Sequence, residues 1–256
     1  MEDLTIMSTL KLAGGTLVLS IDLDGGGESG PARSVVAIAS RLNKVLDHFD
    51  MPATWLSAEP VKLASVLKAS RTKHEAGLLG NESWIGRSAG RTTFARELNS
   101  RLERAQNAGV DVSTLGLKNT KLDQHLDLLV KHRISVVRSP LETGSAGFVR
   151  PHALRYGVWE APPTLSLPAS HLWLPAAVFS ARWTVGRAAA SSAIVHIALD
   201  LTKLDESCVK PLERLFSYSR RLRDDGMLKF DTVGALAERF QRRRTNPPMH
   251  SVLRAA

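Results

Sequence analysis

Cysteine is almost absent from this chain: Cys208 is the single cysteine among 256 residues. One thiol cannot form a disulfide framework or a cysteine-rich zinc site, so both classes are excluded. Long apolar runs are also missing, and none reaches the length that a membrane-spanning helix needs. The first residues are acidic rather than basic and apolar, so we expect no signal peptide. These absences predict a cytoplasmic protein without a membrane partner.

Acidic residues are outnumbered by basic ones, 25 against 34, which gives a formal net charge of +9. Such an excess suggests nucleic acid, a membrane surface or an anionic substrate as a partner. Aromatic and basic residues do not alternate, and no known nucleic-acid motif is present, so the sequence does not favour nucleic acid as a partner. A hydrophobic content of 43% is sufficient for a substantial core.

Predicted strands and helices alternate along nearly the whole chain, which is typical of a parallel sheet with right-handed crossovers in an α/β protein. The strands are predicted at residues 16–22, 51–56, 75–79, 112–116, 134–137, 165–168, 194–199 and 227–230. The helices are predicted at residues 31–49, 60–69, 94–108, 121–132, 211–225 and 233–243. We expect one domain over residues 15–243, after a short lead (1–14) and before a basic flexible tail (244–256).

The most informative segment is LVLSIDLDGGGE over residues 17–28. An apolar run ends in two carboxylates, Asp22 and Asp24, and then breaks into glycines. In α/β barrels the carboxyl ends of the strands are where the chemistry is located. Side chains alternate along a strand, so the two carboxylates are predicted to point to the same side. Two carboxylates on one side repel unless a cation or a shared proton relieves them.

Six segments, in the same order, resemble motifs of the polysaccharide deacetylase family, the NodB-homology domain. Residues 20–25 (SIDLDG) resemble its first, Asp-x-Asp motif, and residues 73–78 (KHEAGL) resemble its "GHEIG" segment. Residues 138–140 (RSP) resemble its arginine motif, and residues 195–200 (VHIALD) resemble the late strand that carries a histidine. Residues 46–55, before and at the second strand, and residues 226–232, before the closing helix, complete the set.

The resemblance implies a distorted (β/α) barrel of about seven strands. It implies a hydrolase of carbon–nitrogen bonds that removes an acetyl group from an N-acetylated sugar, with a divalent metal that polarises water and the amide carbonyl. It also implies roles for four residues. Asp22 would be the general base, Asp24 a metal ligand, Arg138 the residue that orients the base, and His196 the general acid.

The chain departs from the family at the metal site. The family's two histidines, four residues apart, are replaced by Leu79 and Ser83. None of the eight histidines are four residues apart, so no shift of register restores the pair. Glu82 or Glu28 could replace them as ligands, but oxygen ligands alone favour magnesium or calcium over zinc. We therefore expect no cofactor, or a divalent metal only if the site has been rebuilt.

Structural alternatives exist for the remaining site residues. His196 lies in an apolar strand and could be a core histidine, and Arg138 could simply neutralise Asp22 or Asp24. Three hypotheses follow: a deacetylase-like protein that binds a carbohydrate, small molecule or partner without family-type zinc catalysis; an active N-acetyl-sugar deacetylase with a rebuilt site; or a basic scaffold for an anionic polymer or protein. The sequence leaves the substrate, the retention of catalysis and the oligomeric state open.

Overall fold

A computed structural model of the chain describes residues 14–24, 33–86, 89–122, 124–140, 148, 150–167 and 173–245. Its strands are β1 (Gly15–Asp22), β2 (Thr54–Ser57), β3 (Glu75–Gly80), β4 (Val112–Leu117), β5 (Val136–Arg138), β6 (His152–Ala153), β7 (Trp159–Glu160), β8 (Leu165–Ser166), β9 (Ile194–Asp200) and β10 (Leu228–Asp231). Its helices are α1 (Arg33–His48), α2 (Val61–Ala69), α3 (Glu82–Ile85), α4 (Arg91–Asn107), α5 (Leu126–Lys131), α6 (Leu174–Ser191), α7 (Val209–Asp224) and α8 (Val233–Thr245).

The ten strands form one sheet, in the order β6-β7-β5-β4-β3-β2-β1-β9-β8, with β10 beside β1. All pairs are parallel except β6 with β7. Strand β1 is central because it pairs with β9 along its length, with β10 through its first half and with β2 through its second half. Parallel neighbours place their carboxyl ends at one edge of the sheet, so the residues that end these strands share that edge.

Strand β1 is buried on both faces, which explains its continuous apolar sequence. Leu17, Leu19 and Ile21 alternate onto the face that packs against the surrounding helices in the large core. Val18, on the other face, belongs to a second, smaller apolar cluster with Trp159 of β7 and Leu236 of α8. The first half of α8 therefore packs against the concave side of the sheet, and the polar residues of β1 lie further along this inner face.

The sheet is curled. Residues at the carboxyl ends of strands that are far apart in the strand order therefore meet across its concave side. Arg138 at the end of β5 bonds to Asp22 at the end of β1, although three strands separate them in the sheet. Lys118, directly after β4, bonds in the same way to Asp200 at the end of β9. This geometry is that of a partly open barrel with a polar mouth at the carboxyl ends of its strands.

The predicted α/β class and the distorted barrel are confirmed. The sheet has ten strands where about seven were expected. The two-residue strands β6 and β7 were not predicted, whereas β8 lies within the strand predicted at residues 165–168. Helix α5 begins only at Leu126, because His125 has a left-handed backbone (φ 65°) that a helix cannot continue through. The longest helix, α6, was not predicted, because apolar residues such as Phe179 and Trp183 also occur on its exposed side and weaken the contrast between its two faces.

The domain boundaries remain predictions. Residues 1–13 of the expected lead and residues 246–256 of the expected tail lie outside the described residues, as does Glu28, the alternative metal ligand. Helix α8 continues to Thr245, two residues past the predicted end of the domain. In the described ranges, no helix is both long and apolar enough to cross a membrane.

Candidate functional site

The mouth of the barrel contains a buried ion pair between Asp22 and Arg138. Nη2 of Arg138 donates to Oδ1 of Asp22 at 2.6 Å, and the side chains are 0% and 1% exposed. Burial raises the pKa of Asp22, and the neighbouring guanidinium opposes this shift. Oδ2 of Asp22 and the Nε and Nη1 groups of Arg138 have no hydrogen-bond partner within the described residues. Both members of the pair therefore keep unused bonding capacity.

Glycine at position 116 makes room for this arginine. Gly116 of β4 lies beside Arg138 in register, and a Cβ there would be 3.0 Å from Nη2 of Arg138 and 2.6 Å from Leu56. The same Cβ would be 3.3 Å from the side chain of Leu79. The guanidinium therefore crosses the sheet over Gly116 and next to the leucine that replaces a family histidine.

Asp24, the predicted metal ligand, has a different environment from Asp22. Its Oδ2 accepts a hydrogen bond from Oγ of Ser57 at 2.5 Å, and its Oδ1 accepts from the backbone N–H of Ala58 at 3.0 Å. Nζ of Lys62, on α2, lies 4.0 Å from Oδ2. Strand β1 ends at Asp22, so the alternation of a strand does not extend to Asp24. The end of β2 and the start of α2 hold this second carboxylate.

A second ion pair at the mouth was not predicted from the sequence. Nζ of Lys118 donates to Oδ2 of Asp200 at 3.1 Å, and both side chains are largely buried. Burial alone would raise the pKa of Asp200, but hydrogen bonds from Thr202 and the charge of Lys118 lower it overall. Asp200 also lies opposite Asp22 in the register of β9 and β1. The sequence signal that could have found this pair is its position, since Lys118 directly follows β4 and Asp200 ends β9.

His196 lies deeper in the barrel than the two ion pairs. It is the third residue of β9, opposite Val18 in register, and Asp200 is four residues, about 13 Å, further along the strand. Its Nε2 is 2.9 Å from Oγ of Ser20. Burial, followed by the positive charge of Arg138, lowers the pKa of His196 to about 3. The ring is therefore neutral at physiological pH and lies below the mouth.

The positions expected from the resemblance to correspond to metal ligands do not converge. Leu79 is fully buried in β3. Ser83 is exposed in the first turn of α3, where its hydroxyl bonds to Oδ1 of Asn81 at 2.6 Å. Glu82 is exposed beside it. Within the described residues, no group of three or more His, Cys, Asp or Glu side chains is arranged to hold a metal ion.

A cleft of about 950 Å³ opens at the carboxyl ends of β4, β5 and β7. On one wall, Oγ of Ser139 donates to Oε1 of Glu160 at 2.5 Å, and Nε2 of His152 is 3.1 Å from Oε2 of the same carboxylate. Lys121 and Arg155 add two cations to the lining. The remaining lining residues are mostly apolar: Leu117, Leu122, Leu126, Val137, Pro140, Ala153, Leu154, Pro162 and Pro163.

His74 and Glu75, which resemble the "GHEIG" segment, lie at the opposite end of the sheet from the mouth. Nδ1 of His74 accepts a hydrogen bond from the N–H of Ala53 at 3.1 Å, and burial lowers the pKa of His74 to about 4. Oε2 of Glu75 accepts bonds from Thr54 (2.8 Å) and from the N–H of Gly234 (2.9 Å). These contacts connect β2, β3 and the start of α8, so both residues are structural.

Comparisons with known proteins were made for the whole chain. No protein-family model and no curated protein matches it. Among solved structures, a Mycobacterium smegmatis protein assigned as a polysaccharide deacetylase matches at 18% identity and a TM-score of 0.65, over 94% of each chain. Puue allantoinase matches at 12% identity and a TM-score of 0.65, over 91% of each chain. A peptidoglycan N-acetylglucosamine deacetylase matches at 10% identity and a TM-score of 0.54, over 88% of this chain and 89% of the other.

Identities of 10–18% establish similarity of fold. Allantoinase matches with the same TM-score as the M. smegmatis protein, so the fold by itself does not select a substrate. The architecture that the order of the six motifs predicted is nevertheless present over nearly the whole length of the chain. This chain therefore has the fold of the polysaccharide deacetylases.

Proposed function

We propose that this protein is a deacetylase-like carbohydrate-binding protein that lacks family-type zinc catalysis. The observation that carries the proposal is the environment of Asp24. Both of its oxygens accept hydrogen bonds from the β2–α2 connection, and Lys62 lies 4.0 Å away. Hydrogen bonds of this kind also occur at metal-ligating carboxylates and do not by themselves exclude a metal. Lys62, however, already supplies a positive charge beside Asp24, and the described residues bring no group of three His, Cys, Asp or Glu side chains together, which makes a zinc site at Asp24 unfavourable.

The neighbouring residues do not fit a zinc ion either. Leu79 offers no lone pair, and Ser83 donates its hydroxyl to Oδ1 of Asn81, the N-cap residue of α3. Beside Leu79 lies the guanidinium of Arg138, a fixed positive charge that would repel a divalent cation. We infer that Arg138 and Lys118 neutralise the carboxylates of the mouth in the way that a metal would in the fold family.

The cleft beside the mouth supports a carbohydrate as the ligand. Its volume of about 950 Å³ is at the upper end of the range for small-molecule sites. Ser139, Glu160 and His152 offer donors and acceptors on one wall, and sugar hydroxyls need both kinds of partner. Apolar residues on the other walls suit the C–H faces of a pyranose ring. The N-acetylglucosamine named for one structural relative makes N-acetylated sugars the first candidates.

The test is a calorimetric titration with N-acetylglucosamine and its oligomers. We expect binding, and we expect Glu160→Gln to weaken it about tenfold or more, because hydrogen bonds to a charged group contribute about 1.5–3 kcal/mol. Glu238→Gln, which alters an exposed carboxylate on α8, is the matched control and should bind as the wild type does. No heat with any oligomer, or equal affinity for both variants, would contradict this assignment of the cleft.

The metal part of the proposal has its own test. Elemental analysis of protein purified without chelator should give far less than one zinc per chain. Added equimolar zinc should leave the melting temperature unchanged, since a ligand that binds the folded state must raise it. One zinc per chain that is lost on Asp24→Asn would overturn the proposal.

A second candidate is an active hydrolase of a carbon–nitrogen bond centred on Asp22. The observation that favours it is the unpartnered, buried Oδ2 of Asp22 together with the raised pKa of this carboxyl, a combination found in catalytic acids and bases. This candidate requires acetate release from an N-acetylated sugar by the wild type. It also requires complete loss of release in folded Asp22→Asn, because an amide cannot accept the proton. Absence of release from the wild type supports the binding function.

A further inference from the structure

Helix α6 presents large aromatic side chains on its outer face. Trp173 at its N-cap, Phe179 and Trp183 are 70%, 75% and 61% exposed. Its inner face is apolar and is buried against the core, through Leu174, Val178, Ala181, Val185 and Ala188. The exposed side of α6 also carries Ser180, Arg182 and Arg187, so the three aromatic side chains lie among polar and charged residues. Large exposed aromatic side chains in such a setting are typical of a contact surface.

Five cations border this face: Arg182 and Arg187 on α6, and Lys210, Arg214 and Arg221 on α7. Four of them line a groove of about 430 Å³ together with Phe49, Glu213, Ser217 and Tyr218. Across the part of the chain that the structure describes, none of the five lies within ion-pair distance of a carboxylate. We call these five cations, together with Trp173, Phe179 and Trp183, the α6–α7 surface.

Several other basic side chains are paired, in contrast to these five. Arg220 and Arg223, on another side of α7, both lie near Asp50, at 2.9 Å and 3.7 Å. Arg101 and Arg104 of α4 both reach Glu59, at 3.3 Å and 3.2 Å. The five cations of the α6–α7 surface outnumber the carboxylate of Glu213 in the groove, and this excess of positive charge beside exposed aromatic residues suits an anionic partner.

The guanidinium groups that lie over two aromatic rings here help to decide which anionic partner fits. The guanidinium of Arg187 lies 4.6 Å from the ring centroid of Trp183, and that of Arg182 lies 4.9 Å from that of Tyr218. A ring face covered by a guanidinium is not free to stack on a nucleic-acid base. A second copy of the same surface would bring five more cations against the first five. Both partners are therefore disfavoured.

We propose that the α6–α7 surface binds the surface of a membrane that contains anionic lipids. Tryptophan and phenylalanine side chains on a convex helix can enter the interfacial region, while the flanking arginines bind lipid phosphates. Lys210, Arg214 and Arg221 extend the basic region for about 16 Å along α7. The sequence predicted no membrane partner because it has no spanning run, but attachment to a surface does not need one.

The test is co-sedimentation of the full chain with vesicles of phosphatidylcholine alone and of phosphatidylcholine with 30% phosphatidylserine. We expect binding to the anionic vesicles, weakening as salt is raised, and a blue shift of tryptophan fluorescence. Arg214→Gln with Arg221→Gln should weaken binding about 25-fold, since each basic residue near the surface contributes about fivefold. Phe179→Ser with Trp183→Ser should abolish both binding and the blue shift.

The matched control is the pair Arg96→Gln and Lys131→Gln, which removes two exposed charges on α4 and α5. It should bind anionic vesicles as the wild type does. All variants should keep their circular dichroism and melting temperature, because every altered side chain is exposed. Equal binding to neutral and anionic vesicles, binding to neither, or binding to soluble poly-glutamate in place of vesicles would each overturn the proposal.

Discussion

Removal of the Arg138 guanidinium is the most direct test of how the mouth is stabilised. In Arg138→Ala the carboxylate of Asp22 stays buried, with Oδ2 already unpartnered and Oδ1 newly so. Loss of one partner of a buried ion pair costs about 3–5 kcal/mol. For a chain of this size, 1 kcal/mol corresponds to roughly 2–4 °C, so the melting temperature should fall by roughly 6–20 °C.

The loss should depend on pH, and the direction follows from Asp22. Its pKa in the folded protein is already raised by burial and rises further when Arg138 is removed. A raised folded-state pKa gives stability that is present below the unfolded value and is lost as the pH rises through the folded value. At low pH Asp22 is protonated, so the Arg138→Ala variant does not bury an unpaired charge and loses less stability. The difference between variant and wild type should grow from pH 4 to pH 7.

Urea denaturation followed by circular dichroism measures both effects. The double variant Asp22→Asn/Arg138→Ala removes both charges and should recover part of the loss at pH 7. Arg91→Ala is the matched control, because Arg91 makes the same kind of pair with Asp127 (3.0 Å) at an exposed position and should change stability little. A loss in Arg138→Ala no larger than in Arg91→Ala, or a double variant that shows the full sum of the single losses, would refute the reasoning.

Three further predictions concern buried contacts at the two ends of the sheet. Gly116→Ala should cost about 1–3 kcal/mol in urea denaturation, because its Cβ would meet Leu56 at 2.6 Å and displace Arg138; an unchanged midpoint would contradict this. His74 has a folded-state pKa of about 4, so its contribution to stability is complete above about pH 6.5 and is lost as the pH falls toward 4. Denaturation of His74→Gln should therefore depend less on pH between 6.5 and 4 than that of the wild type. Glu75→Ala should destabilise the protein by removing the acceptor for the N–H of Gly234, whereas a neutral result would mean that water replaces it.

Much of the fold followed from local patterns in the sequence. Buried parallel strands are continuous apolar runs, so β1 and β9 were predicted nearly within their bounds. Helices α1, α4, α7 and α8 each have one polar and one apolar face, and their periodicity predicted them. Helix α6 was missed because its outer side carries Phe179 and Trp183 among its polar residues, so its two faces differ little in polarity.

Tertiary structure decided which of the expected charges meet. The sequence analysis expected Arg138 beside Asp22 or Asp24, and the curvature of the sheet pairs it with Asp22 and gives Asp24 to Ser57 and the start of α2. Lys118 and Asp200 are 82 residues apart in the chain and meet only because strands four positions apart in the sheet curl toward each other. Nothing local marks such a pair.

The sequence by itself determined the α/β class and the alternation of strands and helices, and the absence of two histidines four residues apart. Each of these depends on residue types and on their spacing over short stretches of chain, which can be read directly from the sequence. The depth of His196 within the barrel, the crossing of Arg138 over Gly116 and the bare outer face of α6 depend on strand register and sheet curvature. Those properties arise from contacts between segments that are distant in sequence, so only the folded chain establishes them.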